Sequence, residues 1–228
     1  MTWFRRNVAS IRPDRIVYHP GDQVQCDLWF PEPKIPVEGR LVMLPVLVMV
    51  ASFSKFITAQ MIPTRTTPDL LSGMWSLLAT QLGAVPRRLI WDNETGIGRR
   101  NKLAAGVGEF TGALASKIHQ LKAYDPESKG GVERINGYFE TSFLPGRTFE
   151  SPADFNTQLG VWLPKANSRT VRAFKGRPVD LLAVDVAAML ALPPIAPAAG
   201  LRFGTRLPRD YCGLFIPAVG VGGRARRR

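Results

Sequence analysis

Three acidic residues have the types and settings that chemistry at a phosphate requires. Asp27, in Gln25-Cys26-Asp27-Leu28-Trp29-Phe30, and Asp92, in Leu89-Ile90-Trp91-Asp92-Asn93-Glu94, each stand inside or at the end of a short apolar run that reads as a buried strand. A carboxylate in such a place needs a partner, because an unpaired buried charge is costly and is normally paired or bound to metal. Glu133 lies in the stretch from Glu127 to Glu140. If that stretch is helical, Val132, Ile135, Phe139 and Phe143 form one apolar stripe, and Glu133 lies on the opposite face with Lys129, Gly130, Asn136, Gly137 and Glu140. Glycines there cost about 1 kcal/mol each against alanine, so something other than helix stability keeps the face bare. Taken alone, Glu133 is one more solvated surface glutamate; its company changes the reading.

Three carboxylates without histidine or thiolate are hard oxygen ligands, suited to Mg²⁺ or Mn²⁺ rather than zinc. Two such ions held about 4 Å apart can activate a water or a 3′-hydroxyl and stabilise the leaving oxygen of an in-line displacement at phosphorus. Glu94, Glu127 and Glu140 are near enough in sequence to be alternative ligands. His19 and His119 read as structural, and Trp29 and Trp91 as core residues rather than stacking platforms. Gly96-Ile97-Gly98 lacks the lysine and the strand-to-helix context of a phosphate loop, which excludes nucleotide binding.

The elements that must position these groups follow from periodicity. Strands are expected at residues 23–30, 41–51 and 56–62, the middle one a nearly continuous apolar run with Pro45 marking a bulge or an end, and together they suggest an antiparallel meander. A helix capped by Thr67, with Pro68 at its first position, ends at Gly83. A short strand at 89–91, a glycine-rich basic loop at 96–108, a helix at 109–117 and a strand at 118–123 precede the helix that carries Glu133. A further helix, capped at Ser151, runs through Trp162. Such an order suits an α/β fold in which the three acids converge at one edge of a mixed sheet.

The 228 residues are 45% hydrophobic, enough for a full core and not the composition of a disordered chain. A net charge of +12 points to polyanions, and nucleic acid is the first partner to consider. Two cysteines, Cys26 and Cys212, supply no metal spacing and no disulfide framework, as in a reducing cytoplasm. No run has signal-peptide or membrane-spanning character, so neither secretion nor membrane insertion is expected.

At three places the chain resembles the integrase-core, DDE-type transposases and retroviral-type integrases: Gln25-Cys26-Asp27, Trp91-Asp92-Asn93, and the run from Asp125 through Pro126, Glu127, Ser128, Lys129, Gly130, Gly131, Val132, Glu133 and Arg134 to Asn136. The resemblance covers about residues 15–165 and is strongest to the IstA type of two-gene bacterial insertion sequences, which Trp162-Leu163, Ala166-Asn167, Arg169 and Gly176-Arg177-Pro178 also fit. It implies a ribonuclease-H-like mixed five-stranded sheet flanked by helices, with a basic C-terminal extension. It also implies that Asp27, Asp92 and Glu133 form a catalytic triad binding Mg²⁺ or Mn²⁺, two ions in all, with Asn93, Ser128, Lys129 and Arg134 beside it. Activity would be DNA cleavage and strand transfer, by a homo-oligomer on DNA with an ATPase helper, in a bacterial cytoplasm at the nucleoid. A catalytically silent DNA-binding remnant and a hydrolytic nuclease of the same fold are the alternatives.

The expected division is a basic lead-in at 1–20, an integrase core at 21–165, a basic connector and Pro/Ala linker at 166–200, and a truncated segment with a disordered arginine tail at 201–228. Residues upstream of Asp27 are too few for the helix-turn-helix region that full-length transposases of this type use to read DNA ends. Phosphate contacts are expected from Lys129, Arg134, Arg99, Arg100 and Lys102, without sequence preference.

Overall fold

A computed structural model describes residues 17–99, 102–121, 132–172 and 175–199, without the side chains of Val132 and Glu133. The expected lead-in before residue 17, Arg100, Glu127, Ser128, Lys129 and the segment from 200 onward lie outside these residues.

The central sheet has five strands: β1 (Gln23–Trp29), β4 (Val46–Ala51), β5 (Ile57–Met61), β6 (Arg88–Trp91) and β9 (Lys117–Gln120), in the spatial order β5-β4-β1-β6-β9. The pairs β1/β4 and β4/β5 are antiparallel, giving the expected meander, while β1/β6 and β6/β9 are parallel. Parallel neighbours need crossovers. α1 (Thr67–Leu77) supplies one between β5 and β6, and α2 (Val107–Ala113) supplies the other between β6 and β9. Every residue of β4 is buried, as its continuous apolar run requires of a strand covered on both faces.

Alternation along the strands divides the core into two layers. Val24, Cys26, Leu47, Met49, Leu89 and Trp91 pack with Leu70, Met74 and Leu77 of α1 and Phe110 of α2. On the other face, Trp29, Val46, Val48, Val50 and Ile57 meet α3 (Val132–Tyr138), the π turn Phe139–Phe143, and α4 (Pro152–Asn167). The expected stripe is found there: Ile135, Phe139 and Phe143 are buried, and the rings of Trp29 and Phe139 stack at 4.9 Å between centroids. Burying each such side chain contributes about 1.5–3 kcal/mol, which holds α3 against β1.

Several boundaries differ from the sequence expectation. The apolar run at 41–51 is two strands: β3 (Arg40–Val42) pairs with β2 (Ile35–Val37) in a separate ribbon, and only β4 joins the sheet. Pro45 lies between them, since it has no N–H to continue a ladder. The cap of α1 is Thr66, one residue before Thr67, and its last turn widens into a π turn before Gly83 at φ 79°. α2 starts two residues before the expected Glu109 and stops at Ala113, while β9 begins at Lys117. Ser151 does cap α4, accepting the N–H of Asp154 at 3.1 Å, but the helix continues beyond Trp162 to Asn167.

A helix left unassigned by the sequence reading, α5 (Pro178–Ala188), packs onto the start of β1. Its buried Asp185 accepts the N–H groups of Gly21 at 2.6 Å and Ser54 at 3.1 Å. Gly21 has a φ of +70°, and a Cβ there would stand 2.4 Å from the backbone of Ala188, so only glycine permits this approach.

The outer edge of β5 would expose a row of unpaired amides. Side-chain amides close it instead. Ile57 exchanges N–H and C=O bonds with Asn167, Ala59 with Gln81 and Met61 with Asn156, all between 2.7 and 3.2 Å.

Candidate active site

Strand alternation puts Asp27 on the same face of β1 as Trp29, toward α3, and Cys26 on the opposite face. In the parallel register Cys26 pairs with Trp91. Asp27 and Asp92 are therefore the next step along two adjacent strands, whose axes lie about 4.8 Å apart. The first two acids of the expected triad are thus brought together at the sheet.

α3 lies over this point. Asn136 donates from Nδ2 to Oδ2 of Asp27 at 3.0 Å. Glu133 precedes Asn136 by three residues, which is one turn, so the two positions share a helix face. A Cβ added at Gly137 would meet nothing within 4 Å, so packing does not demand a glycine there.

The electrostatics are those of a carboxylate held at the boundary of a core. Burial, and then the charge of Asp27, push the Cys26 thiol well above its ordinary pKa, so this cysteine is protonated and inert. Asp92 accepts the N–H of Asn93 at 2.9 Å. The Oδ1 of Asn136 is buried without a hydrogen-bond partner among the described residues, an acceptor left over beside Asp27. Carboxylate and amide oxygens are hard donors of the type that suits Mg²⁺ or Mn²⁺. Among the described residues no three His, Cys, Asp or Glu side chains gather around a common point, and the side chain of Glu133 is outside that set.

Of the alternative acids, Glu140 and Glu94 have other partners. Glu140 accepts from Nε1 of Trp29 at 3.4 Å, and Glu94 is paired with Arg65 at 3.1 Å. His119 is exposed on β9 and His19 in a turn. Trp29 and Trp91 are core residues, as expected. Of the expected phosphate contacts, Arg99 and Lys102 face solvent and pair across the ribbon of β7 (Gly98–Arg99) and β8 (Lys102–Leu103), and Arg134 is exposed on α3.

Two residues of interest escaped the sequence reading. Asn136 stood in the recognised stretch without a role, and its helical offset from Glu133 was the signal. Lys55, at the turn between β4 and β5, stands over the ring of Tyr18 at 4.1 Å. Burial, then the charge of Arg134, lower its pKa, while Asp185 opposes that shift.

No family model matches the chain. In sequence it is 26% identical over 165 residues to a protein assigned as the transposase for insertion sequence element IS5376 of Geobacillus stearothermophilus, an overlap of 69% of this chain and 40% of that protein. It is 28% identical over 195 residues to the assigned transposase Rv3428c of Mycobacterium tuberculosis, covering 77% and 45% respectively. The chain spans less than half the length of both relatives. In fold it matches a chain of the simian T-cell lymphotropic virus intasome, solved in complex with PP2A regulatory subunit B56 gamma, with a TM-score of 0.57, 20% identity and coverage of 84% of this chain and 63% of that one. The catalytic core domain of BIV integrase matches with a TM-score of 0.53 and 17% identity, over 72% of this chain and 95% of that one. The HTLV-2 integrase catalytic core domain, solved with magnesium in a trimeric form, gives 0.52 and 16%, over 71% and 95%. The mixed five-stranded sheet with its flanking helices is the ribonuclease-H-like fold of integrase catalytic cores, and in sequence the chain is similar to transposases.

Proposed function

We propose that this chain is a transposase or integrase catalytic core that cleaves DNA and joins the cut end to a target strand. The observation that carries this is the register that makes Asp27 on β1 and Asp92, one residue past β6, neighbouring positions, with Asn136 of α3 bonded to Asp27. Similarity to transposases in sequence and to integrase cores in fold supports it.

In this reading Asp27, Asp92 and Glu133 hold Mg²⁺ or Mn²⁺. When bound, two such ions supply Lewis acidity at the phosphate and lower the pKa of the attacking water or 3′-hydroxyl. Asn136 donates to Oδ2 of Asp27 and so restrains the orientation of its carboxylate. Arg134, Arg99 and Lys102, with Arg100 and Lys129, would contact DNA phosphates and align the backbone. A homo-oligomer on DNA, with an ATPase helper, is the assembly we propose for it. Among the described residues no helix is long and apolar enough to cross a membrane.

The test is an oligonucleotide assay with the full chain, scoring nicking and joining of a labelled duplex in Mg²⁺ or Mn²⁺. Asp27→Asn, Asp92→Asn and Glu133→Gln should each lower both by about 10³-fold, or roughly 4 kcal/mol of barrier, with unchanged circular dichroism. Nicking without joining would favour the hydrolytic nuclease. DNA binding with neither would favour the silent remnant.

A further inference from the structure

A second carboxylate follows Asp92 by two positions, and the structure gives it a different task. The side chain of Glu94 is 12% exposed, and its two oxygens accept from Nη2 of Arg65 at 3.2 and 3.1 Å. Its Oε1 also takes the N–H of Gly96 at 3.0 Å and the hydroxyl of Thr95 at 3.3 Å. Thr67, in the first turn of α1, donates to the carbonyl of Gly96 at 2.7 Å. From β9, Nε2 of Gln120 donates to the carbonyls of Glu94 at 3.4 Å and Gly98 at 3.1 Å. The contact is close enough that a Cβ on Gly96 would stand 2.6 Å from the carbonyl oxygen of Arg65 and from Cδ1 of Leu70. The turn leaving Asp92 is thus tied to α1 on one side and to β9 on the other.

We propose that Glu94 and Arg65 are positioning residues for Asp92, and that Glu94 is not a further metal ligand. This rests on the catalytic reading of Asp27, Asp92 and Glu133 given above. Glu94 already has a guanidinium, a backbone N–H and a hydroxyl, so binding a metal would cost it those bonds. A further carboxylate without a cation of its own would also add like-charge repulsion near the other acids. Arg65 cancels that charge and in the same contact restricts the backbone that carries Asp92. Outer partners of metal ligands commonly account for about 10–100-fold in metal affinity.

The decisive measurement is Mn²⁺ binding to the full chain without DNA, by calorimetry and by the shift in Tm, alongside the Mn²⁺ dependence of nicking. Glu94→Gln should weaken Mn²⁺ binding about tenfold and raise the Mn²⁺ needed for half-maximal nicking equally. Arg65→Ala, which removes no oxygen ligand, should do the same. If Glu94→Gln abolishes Mn²⁺ binding as Asp92→Asn does, while Arg65→Ala leaves it intact, Glu94 is a ligand and the proposal is wrong. Parent-like Mn²⁺ binding in both single variants would also overturn it. If Asp92→Asn itself binds Mn²⁺ like the parent, the catalytic reading fails and takes this inference with it.

Discussion

Asn136 and Asp27, 109 positions apart, are joined by a 3.0 Å hydrogen bond that ties α3 to the central strand of the sheet. Charge-assisted bonds of this kind are stronger than neutral ones, and among the described residues the other amide oxygen is buried without a partner. The pair stands where the stacked core, represented by Trp29 on Phe139, gives way to polar groups.

Asn136→Ala should therefore lower stability by about 1.5–3 kcal/mol, the net worth of a hydrogen bond to a charged group. Urea unfolding of the two proteins checks this. An unchanged midpoint would mean that the bond contributes nothing.

Asn167 is 2% exposed and satisfies both backbone groups of Ile57. Asn167→Leu keeps the volume and leaves an N–H and a C=O buried without partners, so a loss of about 2–4 kcal/mol is expected. The opened edge should also make the protein self-associate, visible by size-exclusion chromatography. Asn156→Leu, at a partly buried site on the same edge, should cost less.

Cys26 gives a pH dependence of defined sign. Its folded pKa is raised by burial and then by Asp27, so its contribution is fully present below the unfolded thiol's pKa, about 8.5. Above that pH the unfolded chain ionises first, and stability is lost as pH rises toward the folded pKa. Compared with Cys26→Ala, the parent should lose up to about 1.4 kcal/mol more per pH unit in this window. Parallel pH profiles for the two proteins would refute the assignment.

The β7–β8 ribbon should act through charge alone. If Arg99 and Lys102 each contact one phosphate, their joint replacement by alanine should reduce the slope of log affinity against log salt by about 2. The change should be equal for a terminal-repeat duplex and a scrambled one of the same length. A loss confined to one sequence would mean base readout.

Sequence determined whatever acts over a few residues or repeats with a period. Alternation set the two faces of β1, the 3.6-residue stripe set the buried side of α3, and Ser151 and Gly83 marked helix ends. The same local reading put one acid on a strand, one at a strand's end and one on a helix, and so the chemistry they suit was legible. Tertiary structure decided what depends on register and on partners far along the chain. Pro45 could be read as a break, but only pairing showed that β3 leaves the sheet for a separate ribbon. Helix α5 was invisible as a part of the core, because its anchor is one aspartate reaching the N–H groups of Gly21 and Ser54. Glu94 and Asp92 look alike in sequence, two acids separated by a single residue. Arg65, from the connection between β5 and α1, pairs with Glu94, and such a contact leaves no periodic trace in the chain.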